Sequence, residues 1–541
     1  MSKFKILFLF YLLLIPSISV FSQNWTANIH NYSTGDVKIT DALYNEANSR
    51  YFVTGNFSDS LFFGISDTLV SNGPNGIFLT AFDSEYNPLW VYEIDGDGYE
   101  VQSHLDIDDN NNIYLTGLFT SSNCKFEEDT TLATDGIGDD FIAKFHDSGD
   151  LMWVNHIGRG ESFQKGNSIM IDDANDVVLS MDYQDSIIVS TKEKDTTLFS
   201  GSSGSTASVI LKLNSSATNY NNIYNITTNG ITNIYGIREY SNSYYFSGRF
   251  QNTVYLEAGN YTSTSSTYDL YILKTNTELN DDWVRRSYGN DNDYPGALTN
   301  DQSGNVYLTG FFNSTNFQTD STATLQSGQI NNRGNRDIFL FKYNKEGNLQ
   351  WAKSYGTAQN DWAREIDQEH DIFYITGYSE GDLGFGNDTI YNQGGRDFFV
   401  GSFDTEGNKL RAFGLDQQGA GDESGMVLSI APNNKVYTGG YFTSSSIGTE
   451  DTTFNLNGAQ DMFLGKFTSE LAATFSEIQQ PSCNGASDGK LVVKPEFGVA
   501  PYTYTWTPDV SSDSTAENLS AGTYEVTVED SEGSTTTISH D

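Results

Sequence analysis

Cysteine is almost missing from this chain: Cys124 and Cys483 are the only two among 541 residues. That scarcity excludes a disulfide framework and a cysteine-based zinc site. Positive charge is scarce as well, with 29 Lys+Arg against 71 Asp+Glu and a formal charge of −42. No basic run exists to neutralise phosphates, so nucleic acid is excluded as a partner and an anionic membrane surface is disfavoured. Apolar runs long enough to span a bilayer are lacking, and no transmembrane span is expected in the mature chain. There is no Walker loop, no Gly-x-Ser-x-Gly and no zinc signature. The six histidines are His30, His104, His146, His156, His370 and His540, and none is paired at metal-ligand spacing. His104, His146 and His156 fall in one repeat unit, so a metal site could draw on them.

Aromatic residues are abundant. They make up 14% of the chain, with 32 Tyr and 35 Phe, although apolar residues reach only 37%. A polar chain so rich in rings can still build a core, which argues against disorder.

The N-terminus predicts export. Lys3 and Lys5 precede an unbroken apolar stretch from Ile6 to Ile15, which Pro16 ends. Val20-Phe21-Ser22 supplies small-residue positions, placing cleavage after Ser22 and the signal segment at 1–22. A secreted or cell-surface location follows.

Periodicity organises the rest. Tryptophans fall at Trp25, Trp90, Trp153, Trp283 and Trp351, spaced by one or two periods of about 65 residues. A second marker is an aromatic strand ending in Thr-Gly, as at Tyr51–Gly55, Tyr114–Gly117, Tyr307–Gly310 and Tyr374–Gly377. Counting the variants at Met181, Gly248 and Gly440, it occurs seven times. A third marker follows each time, as in Asp139–Phe145, Asp337–Tyr343 and Asp461–Phe467. After it comes a turn such as Asn344-Lys-Glu-Gly347 and the next tryptophan strand. Each unit therefore holds about four short strands separated by Gly/Asn/Asp/Ser clusters. The expected fold is all-β: a seven-bladed β-propeller of four-stranded blades over 23–474. The repeat exceeds the ~40–50 residues of common propeller units, and the surplus is expected in loops. The chain opens on Trp25, the marker of a unit's last strand, whereas the seventh unit lacks that strand. Residues from Asn24 to about Tyr32 are expected to supply it and close the ring.

These repeats resemble the bacterial SBBP-type propeller repeat, on the residues Asp301–Phe312, Asp337–Tyr343 and Gly347–Trp351. The third and sixth units depart from the pattern, the third lacking the glycine of Thr-Gly.

Composition shifts after about Ala472. The last segment, 475–541, carries Cys483-Asn-Gly-Ala-Ser-Asp488-Gly489, Pro501-Tyr-Thr-Tyr-Thr-Trp506 and Leu519-Ser-Ala-Gly-Thr-Tyr524-Glu-Val-Thr-Val528. Strict alternation over Thr523–Val528 gives a half-buried strand, and the segment suits a small immunoglobulin-like β-sandwich. It resembles the SprB repeat of gliding-bacterium surface adhesins. The resemblance implies a second cysteine after the last glycine, where this chain has Gly533-Ser534. Such modules commonly occur in series, so the chain is expected to be short for its kind or to continue beyond Asp541.

Candidate sites are few. Asp106, Asp108, Asn110 and Asn112 offer alternating oxygens of the kind Ca²⁺ requires, although Asp/Asn tracts also make tight turns without metal. No other cofactor is expected. Tyr99, Tyr294 and Trp362 lie outside the repeat register and are the candidate ligand-binding aromatics. Asp-Ser/Thr triplets resemble the O-glycosylation motif of Bacteroidetes-type exported proteins. They place acceptors at Ser60, Thr68, Thr130, Ser186, Thr196, Ser321, Thr389, Thr452 and Ser514; the same triplets also suit hairpins.

The reading is an exported, non-enzymatic binding or adhesion protein, with polysaccharide or a surface protein as partner. The rivals are a propeller glycosidase or lyase with a carboxylate pair or a histidine in the channel mouth, and a spacer in a larger surface assembly. No catalytic residue is assigned, and the oligomeric state is left open.

Overall fold

The structure is a computed structural model. It describes residues 24–29, 32–64, 68–127, 129–160, 164–320, 330–369, 371–385, 388–431, 435–448, 453–468, 471–483, 485–498, 501–531 and 533–540. The signal segment, His30, His370, Ser321 and Thr452 lie outside them. The described residues are almost all strand and turn, with one short 3-10 helix at Thr264–Ser266. No helix among them is long and apolar enough to cross a membrane. The chain divides into two compact units, Trp25–Lys466 and, for the rest, chiefly Phe467–Asp541.

The large unit is a β-propeller. Its recurring element is four antiparallel strands in chain order, as in Val37–Asn45, Arg50–Phe57, Gly76–Phe82 and Pro88–Ile94. The innermost strand of each group is followed by an aromatic second strand that is buried along nearly its whole length, such as Ile113–Phe119. The innermost strands are Val37–Asn45, Glu100–Ile107, Gln164–Ile171, Ile231–Glu239, Asp293–Asn300, Asp361–Glu369 and Glu423–Ala431, and all of them line one central cavity. The ring closes as the sequence predicts. Asn24–Ile29 joins the edge of the sheet made by Asp461–Thr468, Lys435–Phe442 and Glu423–Ala431.

The three sequence markers have distinct physical causes. The tryptophans tie one group to the next. Nε1 of Trp90, Trp283 and Trp351 donates to the carbonyls of Asp147, Lys345 and Thr405 at 3.0, 3.1 and 3.2 Å. The same indoles pack on Gly149, Gly347 and Gly407, whose φ values of +92°, +78° and +70° suit glycine and where a Cβ would meet the ring. The aspartate opening the third strand is buried and accepts a backbone N–H from four residues earlier. Asp139 accepts from Asp135 at 2.6 Å, Asp397 from Gln393 at 2.9 Å and Asp461 from Asn457 at 2.7 Å. The threonine of Thr-Gly donates across to the third strand: Thr54, Thr116, Thr309 and Thr376 bond the carbonyls of Phe78, Phe141, Phe339 and Phe399 at 2.9 to 3.0 Å.

The repeat's surplus length is not loop, as expected, but largely an added hairpin between the second and third strands. Examples are Ser60–Phe62 with Thr68–Val70, Ser186–Ser190 with Asp195–Phe199, and Thr253–Leu256 with Gly259–Thr262. Several hairpins pair with the outermost strand of the preceding group. Val189 lies opposite Gly158 and Tyr255 opposite Thr227, while Leu61 lies opposite Ser33 in the short strand Tyr32–Ser33 that follows Asn24–Ile29. An extra pair of strands thus covers an edge that would otherwise offer unpaired N–H and C=O groups. Hydrophobic spacing alone did not show this, because each strand is only three to five residues long.

The small unit has two three-stranded sheets: Ala472–Gln479, Ser487–Glu496 and Thr515–Ser520; and Thr503–Thr507, Tyr524–Glu529 and Thr535–His540. Trp506, Leu491, Val493, Val526 and Val528 are buried between them. Trp506 Nε1 donates to the Asp513 carbonyl at 2.9 Å. Cys483 is exposed and Cys124 is buried in the large unit; both are free thiols.

Candidate functional site

The site begins with a backbone irregularity. Where each innermost strand passes the Thr-Gly position, its pairing slips by a residue, leaving an unpaired residue on the inner strand. Bulges of this kind re-aim side chains. The glycines permit them: a Cβ on Gly55, Gly310, Gly377 or Gly440 would overlap the carbonyl of Lys38, Tyr294, Trp362 or Ser424. The bulged residues include Thr40, Asn167, Tyr235, Arg364 and Met426, and they line the channel.

The channel holds two contiguous cavities that share Thr40, His104, Tyr235, Ala297 and Glu365. The larger, about 410 Å³, is lined by Asp41, Asp106, Glu365 and Asp367 with His104 and Arg238. The carboxylates there are mostly clasps between neighbouring inner strands. Asp41 Oδ2 accepts from Leu105 N at 3.1 Å, Asp106 Oδ2 from Ile171 N at 2.6 Å, and Asp367 Oδ2 from Ile430 N at 3.1 Å. His104 Nδ1 lies 3.4 Å from Asp41. Glu365 is the exception, with no hydrogen bond among the described residues. Burial, opposed by Arg238 and reinforced by Asp41, pushes its carboxyl up to about 8. Burial likewise raises Asp106 to about 6.

The smaller cavity, about 250 Å³, has the opposite character. Lys38, Lys165 and Arg364 line it beside Tyr235 and Trp362. None of the three cations forms an ion pair or a side-chain hydrogen bond among the described residues. Arg364 Nε and Trp362 Nε1 are buried without partners. Burial, then the charges of Arg364 and Lys165, pulls Lys38 down to about 8. Around this mouth the basic residues stack on rings. Arg364 lies 3.8 Å from the Trp362 ring centroid, Arg249 4.0 Å from Tyr294, Arg396 4.6 Å from Tyr378 and Arg336 4.8 Å from Phe311. The rings adjoin: Tyr294 stacks on Phe311 at 4.8 Å, and Phe311 and Trp362 meet edge to face at 5.0 Å.

The expected residues distribute unevenly. Tyr294 and Trp362 belong to one aromatic–arginine cluster. Tyr99 is exposed and stacks on no described ring. The four proposed calcium ligands do not converge. Asp106 faces the channel and serves as a clasp, while Asp108 is a turn residue. Its Oδ1 accepts from Asn110 N and Asn112 N at 2.9 Å, and its Oδ2 binds Lys144 at 2.9 Å. The same turn recurs at Asp83, Asp301 and Asp404. His104, His146 and His156 are not gathered either: His104 is in the channel, and His156 Nε2 is 3.0 Å from Asp139 Oδ2. Asp135, Asp139 and His156 could hold a metal ion. Their oxygens already engage Arg159 Nε at 2.6 Å, the Asp135 N–H and the imidazole.

Among the acceptor triplets, Thr68 and Thr389 are exposed, whereas Ser60, Thr130, Ser186 and Thr196 are half-buried in the added hairpins and Ser514 is half-buried in the small unit. Asp59 and Asp185 carry φ of +56° at the hairpin starts, a conformation that aspartate tolerates. Lys38, Lys165 and Arg364 escaped notice in the sequence because they share no motif; their only common signal is a place among the second to fourth residues of an inner strand.

Residues 476–511 match the SprB repeat, a module typical of Bacteroidetes cell-surface proteins. No curated protein matches the chain in sequence. Among solved structures, the Dos1 propeller is similar at 8% identity, covering 82% of this chain and 94% of that one, with a TM-score of 0.38. The Neurospora crassa Pan2 WD40 domain is similar at 9% identity, covering 82% and 95%, with a TM-score of 0.39. A protein of unknown function from Dyadobacter fermentans is similar at 7% identity, covering 81% and 98%, with a TM-score of 0.34.

Proposed function

We propose that this chain is an exported, non-enzymatic surface or secreted binding protein. Its seven-bladed, SBBP-type propeller presents the cation- and ring-lined channel mouth to a polysaccharide or a surface protein, and an immunoglobulin-like SprB module follows. The observation that carries the reading is the set of unpaired cations, Lys38, Lys165 and Arg364, around Trp362 in a chain of net charge −42. A buried cation without a partner is costly, and a ligand that supplies one is favoured. The SprB segment fits a surface location and an adhesive role. Exposed Thr68 and Thr389 are the acceptors most open to glycosylation.

A second reading, a glycosidase or lyase, draws on Glu365. It is an unclasped carboxyl held largely protonated near neutral pH, next to Asp41. The commitment of Asp41, Asp106 and Asp367 to backbone N–H groups favours binding over catalysis. Screening the purified chain on a polysaccharide array, with and without Ca²⁺, and assaying retained glycans for cleavage tests both. Retention without cleavage is expected. Cleavage that Glu365→Gln abolishes would establish the enzyme, and absence of any retained glycan would leave a protein partner.

A further inference from the structure

The ligand class can be narrowed, on the assumption that the channel mouth is the binding site. We propose that the smaller cavity holds an acidic sugar residue of a glycan, its carboxylate or sulfate group bound by Lys38, Lys165 and Arg364 and its ring seated beside Trp362 and Tyr235.

Three features support this. Lys38, Lys165 and Arg364 come from three inner strands and are brought to one cavity by the fold. Burial first, and then their mutual repulsion, lowers the proton affinity of Lys38; none of the three forms an ion pair among the described residues, although Lys165 faces Asp182 across the strand pair and acts on the buried Asp140. The carboxyl among the lining residues is Glu365, which burial keeps largely neutral near pH 7. An anion entering there gains charge-assisted hydrogen bonds from these cations, of which Arg364 also keeps a buried Nε without a partner. The cavity, about 250 Å³, falls just below the usual ~300–1,000 Å³ of small-molecule sites. It is too small for a folded surface and sized for one pendant or terminal residue. The aromatic lining favours a sugar over an acidic peptide side chain, because Trp362 and Tyr235 offer apolar surface that a carboxylate alone would not cover. Long-range electrostatics oppose any polyanion at a net charge of −42, so binding of one would have to come from this local cluster.

The test is calorimetric titration of the full chain with polygalacturonate, dextran sulfate, neutral dextran and polyglutamate. Binding of polygalacturonate, dextran sulfate or both is expected, and which one binds identifies the anionic group. Dextran and polyglutamate should not bind comparably. Arg364→Gln and Lys38→Gln should each weaken binding roughly tenfold to a hundredfold without lowering Tm. Should one variant fail to fold, the other decides. The proposal is overturned if neither acidic glycan binds, if polyglutamate or dextran binds as well, or if both folded variants bind unchanged. Glycans on the array that the two variants retain unaltered would sink this inference and leave the binding function standing; no glycan retained at all would sink this inference and leave only a protein partner for the binding function.

Discussion

The two halves of the channel are built from the same strands, yet they settle their charges in opposite ways. In the larger cavity Asp41, Asp106 and Asp367 each accept an N–H from the neighbouring inner strand, so charge there is structural. In the smaller cavity Lys38, Lys165 and Arg364 have no such partner. A charged side chain that is fully hydrogen-bonded holds the ring together. One that is half-buried and unpaired weakens it, and such a residue points to a ligand.

The comparison can be broken most severely at the bulge both halves depend on. Gly377→Val should force the second strand away from the Trp362 carbonyl and cost about 3 kcal/mol or more, read as a fall in the urea midpoint. Next, Asp106→Ala should leave the Ile107 and Ile171 N–H groups unpaired and cost about 1–3 kcal/mol. Arg364→Gln, at the other end, should cost nothing or stabilise. Equal losses for Asp106→Ala and Arg364→Gln would erase the distinction between clasps and unpaired cations. A smaller effect is expected outside the channel. Trp351→Phe removes the bond to the Thr405 carbonyl and should cost about 0.5–1.5 kcal/mol.

The subtlest contrast is in pH dependence. Glu365 ordinarily titrates at 4.5 and sits at about 8 in the fold. Between those values the folded state keeps a proton that the unfolded chain has lost. Its contribution is therefore complete below 4.5 and is lost as pH rises through about 8. Lys38 moves the other way, from 10.5 to about 8. The unfolded chain then binds more protons between those values, so stability rises with pH over that window. Tm measured across pH should show both slopes. Glu365→Gln should flatten only the lower one and Lys38→Gln only the upper.

Much of the fold was legible. The tryptophan spacing reflects a bond repeated from group to group, the Thr-Gly marker reflects a bulge carbonyl pressed against a glycine, and the opening on Trp25 matched a ring closed by the first strand. The added hairpins were not legible, because their strands are too short to show a period and their pairing is with the preceding group. Of the candidate aromatics, Tyr294 and Trp362 lie in one aromatic–arginine cluster, whereas Tyr99 does not. The Asp/Asn tracts that suggested calcium are turns, a use that requires the same residues at the same spacing.

By itself the sequence determined the repeat, its all-β character, the phase of closure and the separate C-terminal module. These depend on local hydrophobic pattern, turn chemistry and spacing, which are properties of contiguous residues. Only the tertiary structure decided which charges are clasps and which are unpaired. Lys38, Lys165 and Arg364 are separated by up to five repeat lengths, and nothing local distinguishes them from solvated basic residues. They become one cationic mouth because closure of the ring turns Lys38 and Lys165, each two residues before its bulge, and Arg364, itself a bulged residue, toward a common axis.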